Sequence, residues 1–199
     1  MPKPLIIDLD GVLRRWDPAI IDTAEAGNGL PAGALAGAAF GDRRRLRAAI
    51  TGAITDQQWR AAIADELAER YGPAGRRSVR DWSRSAGEVA AEVLALVRQQ
   101  RLVRPVALLS NATDRLPADL ARLGLDRELD AVFSSWQLGL AKPDPAVFIA
   151  VSARLGSAAG DCLLVDDAAE NVRAAIEVGM LGHHFRTVAG LAAFLATQP

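Results

Sequence analysis

The sequence predicts an α/β fold: a three-layer parallel-sheet core with a small all-helical domain inserted into it. Three observations carry this. Short apolar segments suited to buried parallel strands occur at 5–9, 105–109, 130–133, 162–166 and 181–185. Helical patterns at 117–123, 145–155, 168–178 and 188–195 follow the last four strands in turn. Between the first two strands, residues from about 15 to 102 contain no convincing strand at all.

Each element has a local reason. The first strand, Leu-Ile-Ile-Asp-Leu, is apolar on both faces, as a strand covered on both sides must be. The interval after it opens with a Gly/Ala-rich stretch at 24–41 and continues as amphipathic helices. Thr55 with Gln58 three positions on is a capping-box start for a helix running to about Tyr71, which Gly72-Pro73 ends. A further helix is expected at about 90–101. A helical interval of this length is too long for an ordinary crossover. It reads as a small domain, so the expected division is an α/β core of 1–14 and 103–199 around a helical insertion of 15–102. Strands then alternate with helices to the end of the chain, which implies a parallel sheet with helices on both faces.

Bulk properties narrow the class. The chain has 199 residues, half of them apolar, and a formal charge of −1. One core with a modest insertion is the expectation for that length. The only basic cluster, Arg43-Arg44-Arg45, reads as a solvated helix face. No nucleic-acid or membrane-surface partner is expected, because both need a basic face. The single cysteine, Cys162, lies in an apolar stretch and reads as a small core residue, which excludes disulfide scaffolds and cysteine-based zinc sites. No signal-peptide pattern opens the chain, and no apolar run approaches the roughly 20 residues that span a bilayer. A cytoplasmic protein is expected.

In open parallel sheets, ligands bind at the carboxyl ends of the strands. The first strand here ends in Asp8-Leu9-Asp10-Gly11, the second in Ser110-Asn111 and the fourth in Asp166-Asp167. Lys142 lies in Ala-Lys-Pro-Asp-Pro just before a helix. Of the 23 basic residues only Lys3 and Lys142 are lysines, so a compact point charge is chosen at 142 where arginine is the rule. Four separate segments thus deliver carboxylates, a hydroxyl and an amine to one rim.

These segments closely resemble the four motifs of the haloacid dehalogenase-like superfamily: Asp8-Leu9-Asp10-Gly11-Val12-Leu13, then Leu109-Ser110-Asn111-Ala112-Thr113, then Lys142-Pro143-Asp144-Pro145, then Leu164-Val165-Asp166-Asp167 followed by Asn171. The resemblance implies a Rossmann-like core, with the helical interval as the cap that this superfamily inserts after its first motif. It implies a phosphatase acting on a small phosphorylated metabolite. Asp8 would be the nucleophile that forms an aspartyl-phosphate. Asp10 would protonate the leaving alcohol and then activate water. Gly11 lets the chain turn away in a conformation that a Cβ resists. Ser110, Asn111 and Lys142 would hold phosphate. The cofactor would be Mg2+, bound by the Asp8 carboxylate, the Asp10 backbone carbonyl and the Asp167 carboxylate, with Asp166 acting through water and Asn171 orienting Asp167.

Charge supports the metal: four carboxylates face one lysine before any dianionic phosphate arrives, and a hard cation with oxygen ligands resolves that. Carbon–halogen hydrolases of the superfamily need no magnesium and typically lack an acid at the position of Asp10. Phosphosugar mutases share every core motif and remain an alternative, as does a non-catalytic binding module. No Gly-x-Ser-x-Gly elbow is present, and His183 and His184 read as structural. Arg14, Arg15 or Trp16 is expected at the cavity mouth, and Trp59 and Trp82 in the core of the helical domain. Among capped relatives the pattern is most similar to sugar-phosphate phosphatases.

Overall fold

The computed structural model describes residues 2–198. The chain begins with β1 (Leu5–Ile7) and leaves the sheet through β2 (Arg14–Arg15). Five helices follow: α1 (Ile20–Ala26), α2 (Ala34–Phe40), α3 (Arg43–Ile50), α4 (Asp56–Tyr71) and α5 (Pro73–Trp82). The chain returns through β3 (Glu88–Val89), α6 (Ala91–Arg101), β4 (Val106–Ser110), α7 (Leu116–Leu123), β5 (Ala131–Ser134) and the short α8 (Ser135–Leu138). It closes with α9 (Pro145–Arg154), β6 (Leu163–Asp166), α10 (Ala169–Glu177), β7 (Leu181–His184) and α11 (Val188–Ala196).

The strands form a five-stranded parallel sheet in the order β5-β4-β1-β6-β7, the fold class the sequence predicts. Side-chain alternation sorts each strand between two cores. Leu5, Ile7, Leu108 and Val165 pack on one face with Leu116 and Leu120 of α7 and Leu191 and Leu195 of α11. Ile6, Leu109 and Leu164 pack on the other with Val147, Phe148 and Val151 of α9 and Ala174 and Ala175 of α10. Cys162 is buried in that second core, as expected. The chain order reverses beside β1, so the ends of β1 and β6 flank the crevice where doubly wound sheets bind ligands.

Helices α1 to α5 bury a core of their own, built on Leu35, Trp59, Ile63, Leu67 and Trp82. Thr55 caps α4: its hydroxyl accepts from the Gln58 N–H at 3.1 Å and the Gln58 side chain accepts from the Thr55 N–H at 2.9 Å. Gly72, at φ +60°, ends α4 and turns straight into α5, which Pro73 starts. The Gly/Ala-rich stretch holds the end of α1 and all of α2, and buried Glu25 joins them. Its carboxylate accepts N–H groups from Gly33, Leu35 and Ala36, satisfying the open donors at the start of α2.

Two features depart from expectation. The division at residue 102 gives α6 to the inserted helices, yet its buried Val93 and Val97 lie in the core that holds the strands. By packing, α6 belongs with the sheet and the inserted helices end at Trp82. The interval read as strand-free also holds a two-stranded antiparallel ribbon, with Arg14 opposite Val89 and Arg15 opposite Glu88. Both crossings between the sheet and the inserted helices therefore run side by side. Among the described residues no helix is long and apolar enough to cross a membrane.

Candidate active site

Asp8 is the first residue beyond β1, and its N–H still donates to Val165 O at 2.9 Å, so the strand ladder sets its backbone. Its Oδ1 accepts from the Leu9 N–H at 2.7 Å and lies 2.8 Å from Lys142 Nζ. The same amine donates to Asp166 Oδ2 at 2.6 Å and to Leu109 O at 3.0 Å. Lys142 thus ties together the ends of β1, β4 and β6. It is held in turn by Asn111: the Asn111 amide donates to Lys142 O and accepts from the Lys142 N–H, each at 2.8 Å. Asn111, expected at the substrate, accordingly has both ends of its side chain on the lysine backbone.

The second acid pair divides cleanly. Asp166 is fully buried, and its Oδ1 accepts from the Ala168 N–H and the Asn171 amide, each at 2.9 Å. Asn171 therefore orients Asp166, not Asp167 as the sequence suggests. Asp167 is exposed, and its carboxylate packs against Gly11. Gly11 sits at φ +77°, and a Cβ there would lie 2.0 Å from Asp167 Oδ2. Glycine is required twice over, for the turn and for the approach. Carboxylate oxygens of Asp8, Asp166 and Asp167 lie within 4.8 Å of one another. Ser110 closes β4 and is buried.

The chain matches the haloacid dehalogenase-like hydrolase family over residues 3–179. It belongs to that family. Two curated relatives align with a minor part of the chain. Flavin mononucleotide hydrolase 1, a chloroplast protein of Arabidopsis thaliana, is 39% identical over 71 residues, 36% of this chain and 29% of that one. Protein CbbY of Cupriavidus necator is 38% identical over 79 residues, 36% of this chain and 31% of that one. The aligned parts are thus less than a third of either relative's length. Among solved structures, a HAD family enzyme of Bacteroides thetaiotaomicron in complex with magnesium and inorganic phosphate superposes with a TM-score of 0.71 at 22% identity, over 94% of this chain and 95% of that one. A 2-haloacid dehalogenase of Pseudomonas syringae gives 0.68 at 19%, over 98% and 99%. At such identities the likeness is one of fold.

In this haloacid dehalogenase-like hydrolase the acid cluster is electrostatically loaded. Burial pushes the Asp8 carboxyl up to about 7, with the Asp166 charge adding to it, against the pull of Lys142. Burial and then Asp166 also raise Asp167. Burial works against the Lys142 ammonium, but Asp8 and Asp166 outweigh it and hold the group above the usual lysine value. One cation among three carboxylates leaves negative charge in excess. The ligand atoms on offer are all carboxylate oxygens, the donor set of a hard divalent cation. The residues fit such an ion. Asp166 already accepts three hydrogen bonds, so Asp8 and Asp167 have more oxygen lone pairs to offer an ion than Asp166 does.

Asp10 has a partner the sequence did not disclose. Arg14 Nε and Nη2 donate to its two oxygens at 2.7 and 2.9 Å, and Trp16 Nε1 donates at 2.6 Å. Arg14 is buried, stacks 4.5 Å from the Trp16 ring centre, and also reaches Asp119 at 3.3 Å. Asp119 in turn accepts from Arg115 at 3.0 Å. Arg14 and Trp16 do stand at the cavity, as expected of that tripeptide, but as holders of Asp10. Trp59 and Trp82 are in the helical core and line the same cavity of about 390 Å³, which meets the sheet at Asp10 and Asn111–Thr113. His183 stacks on Phe194 with ring centres 4.8 Å apart, a structural role, while His184 Nε2 lies 2.8 Å from Asp167 O.

Proposed function

We propose that the protein is a magnesium-dependent phosphatase that hydrolyses a small-molecule phosphate monoester through an aspartyl-phosphate on Asp8. The observation that carries this reading is the convergence of the Asp8, Asp166 and Asp167 carboxylates, the first two on the Lys142 amine, with a further acid, Asp10, at the adjoining cavity. Carbon–halogen hydrolysis expels a halide that needs no proton, so it has no use for an acid at Asp10. The Arabidopsis relative is named for hydrolysis of flavin mononucleotide, itself a phosphate monoester.

The roles follow from position. Two hydrogen-bonding partners on Oδ1 fix the Asp8 rotamer toward the shared rim, which prepares it for in-line attack. As the Asp8–phosphorus bond forms, the bond to the leaving oxygen breaks and Asp10 gives that oxygen its proton. Water then attacks phosphorus, Asp10 takes the water proton, and the Asp8–phosphorus bond breaks. To do this Asp10 must release an oxygen from Arg14. Lys142 neutralises charge between Asp8 and the transferring group, with Ser110 and neighbouring backbone amides at the phosphate oxygens. Asp8, the Asp10 carbonyl and Asp167 would hold Mg2+, which supplies positive charge to the transferring phosphoryl oxygens. The inserted helices, as a cap over this rim, limit access of bulk water. One buried, unpaired cysteine suits the reducing cytoplasm.

The test is a phosphatase screen over phosphorylated metabolites with and without magnesium, alongside Asp8→Asn. Magnesium-dependent release of phosphate that Asp8→Asn abolishes is expected. Turnover that survives chelation removes the metal assignment, and formation of an isomer without free phosphate identifies a mutase.

A further inference from the structure

We infer that the leaving alcohol of the substrate is a flat, uncharged aromatic group, held in the cavity between the inserted helices and the sheet. This deepens the phosphatase reading and rests on it. The cavity, about 390 Å³, is of small-molecule size. Its walls on the helical side are Phe40, Trp59 and Trp82, with Trp16 at the sheet side. The first three contact one another at tilted or edge-on angles, with centroids 5.7 to 6.3 Å apart, so they form a preset aromatic wall. Phe40 is 45% exposed, an apolar ring left open toward this space.

Charge decides what else can enter. Every arginine at the cavity already has its carboxylate: Arg14 holds Asp10 and Asp119, Arg60 holds Asp56 at 2.7 Å, and Arg115 holds Asp119. No unpaired cation is left among the described lining residues for a second phosphate or a carboxylate. The lining hydroxyls are engaged as well. Thr113 Oγ1 donates to Asp56 at 3.0 Å and Ser85 Oγ accepts from the Gly87 N–H at 3.1 Å. A polyhydroxylated sugar would lose water and find few partners.

The experiment compares kcat/KM of the magnesium-loaded full chain for three esters: 2-(2-naphthyl)ethyl phosphate, ribose 5-phosphate and fructose 1,6-bisphosphate. All three leave from primary alkoxides, so the comparison reads binding of the leaving group. The naphthyl ester should exceed ribose 5-phosphate by about tenfold or more, from apolar burial, and the bisphosphate should be the poorest. Equal or better turnover of ribose 5-phosphate overturns the inference. If no ester is hydrolysed, the phosphatase reading has failed. Calorimetry of 2-(2-naphthyl)ethanol against ribose then decides the cavity separately: selective heat from the naphthyl alcohol upholds it, and none overturns it.

Discussion

Gly11→Ala isolates the closest approach in the site. Two separate penalties arise, and they can be told apart. A Cβ on a residue at φ +77° costs about 1–2 kcal/mol. For a chain of this size each kcal/mol lowers Tm by about 2–4 °C, so a fall of about 2–8 °C is expected. The new Cβ would also lie 2.0 Å from Asp167 Oδ2 and 2.5 Å from its Cγ, inside any tolerable contact. Asp167 is exposed, so its side chain can swing away without unfolding the protein. Displacing a ligand by an ångström or more should lower kcat by about 100-fold and weaken Mg2+ binding. Gly124→Ala is the control. Its φ is +67° and no atom lies within 4 Å of an added Cβ, so it carries the backbone penalty alone. The assay is Tm, Mg2+ affinity by calorimetry, and kcat for all three proteins. Wild-type affinity and turnover in Gly11→Ala would refute the assignment of Asp167 as a ligand held against the turn.

Magnesium affinity should rise with pH up to about 7. The Asp8 carboxyl, raised to about 7 first by burial, keeps its proton below that value and must lose it to bind the ion. In a thermal scan, the stabilisation by Mg2+ over the chelated protein should therefore grow from pH 5 to 7, and a flat difference contradicts the assignment. Asp10→Asn should phosphorylate Asp8 slowly and fail to release it, leaving a labelled protein visible by mass. Wild-type turnover in that variant removes Asp10 from the chemistry. Asn111→Ala deletes both clamps on the Lys142 backbone and should lower stability by about 1–3 kcal/mol, with kcat falling more than KM rises. Equal loss in both parameters would place Asn111 on the substrate instead.

What was legible in the sequence was local. The Leu5-Ile6-Ile7 run could only be a strand covered on both faces, and Asp8, Ser110 and Asp166 could be read as strand ends because hydrophobicity stops there. The capping box at Thr55 needs four residues and no more. What escaped the sequence depends on partners far along the chain. Arg14 grips Asp10 because the ribbon pairs it with Val89, a pairing that two-residue strands do not announce. Sequence spacing does not settle which acid Asn171 orients, because Asp166 and Asp167 are adjacent and both lie about one helical turn before it. Burial decides between them: Asp166 points into the protein and Asp167 out of it. Helix α6 could pack on either body, and only the shape of the core places Val93 and Val97 beneath the sheet.

The scarcity of lysine has a practical corollary. An acylating or reductive-alkylation reagent meets two lysine side chains in this protein, and they are not alike. Lys142 is 1% exposed and gripped by two carboxylates, while Lys3 is partly open to solvent at the other end of β1. Of the two, dyes, biotin or a solid support should attach through Lys3, leaving the amine at the acid cluster unmodified.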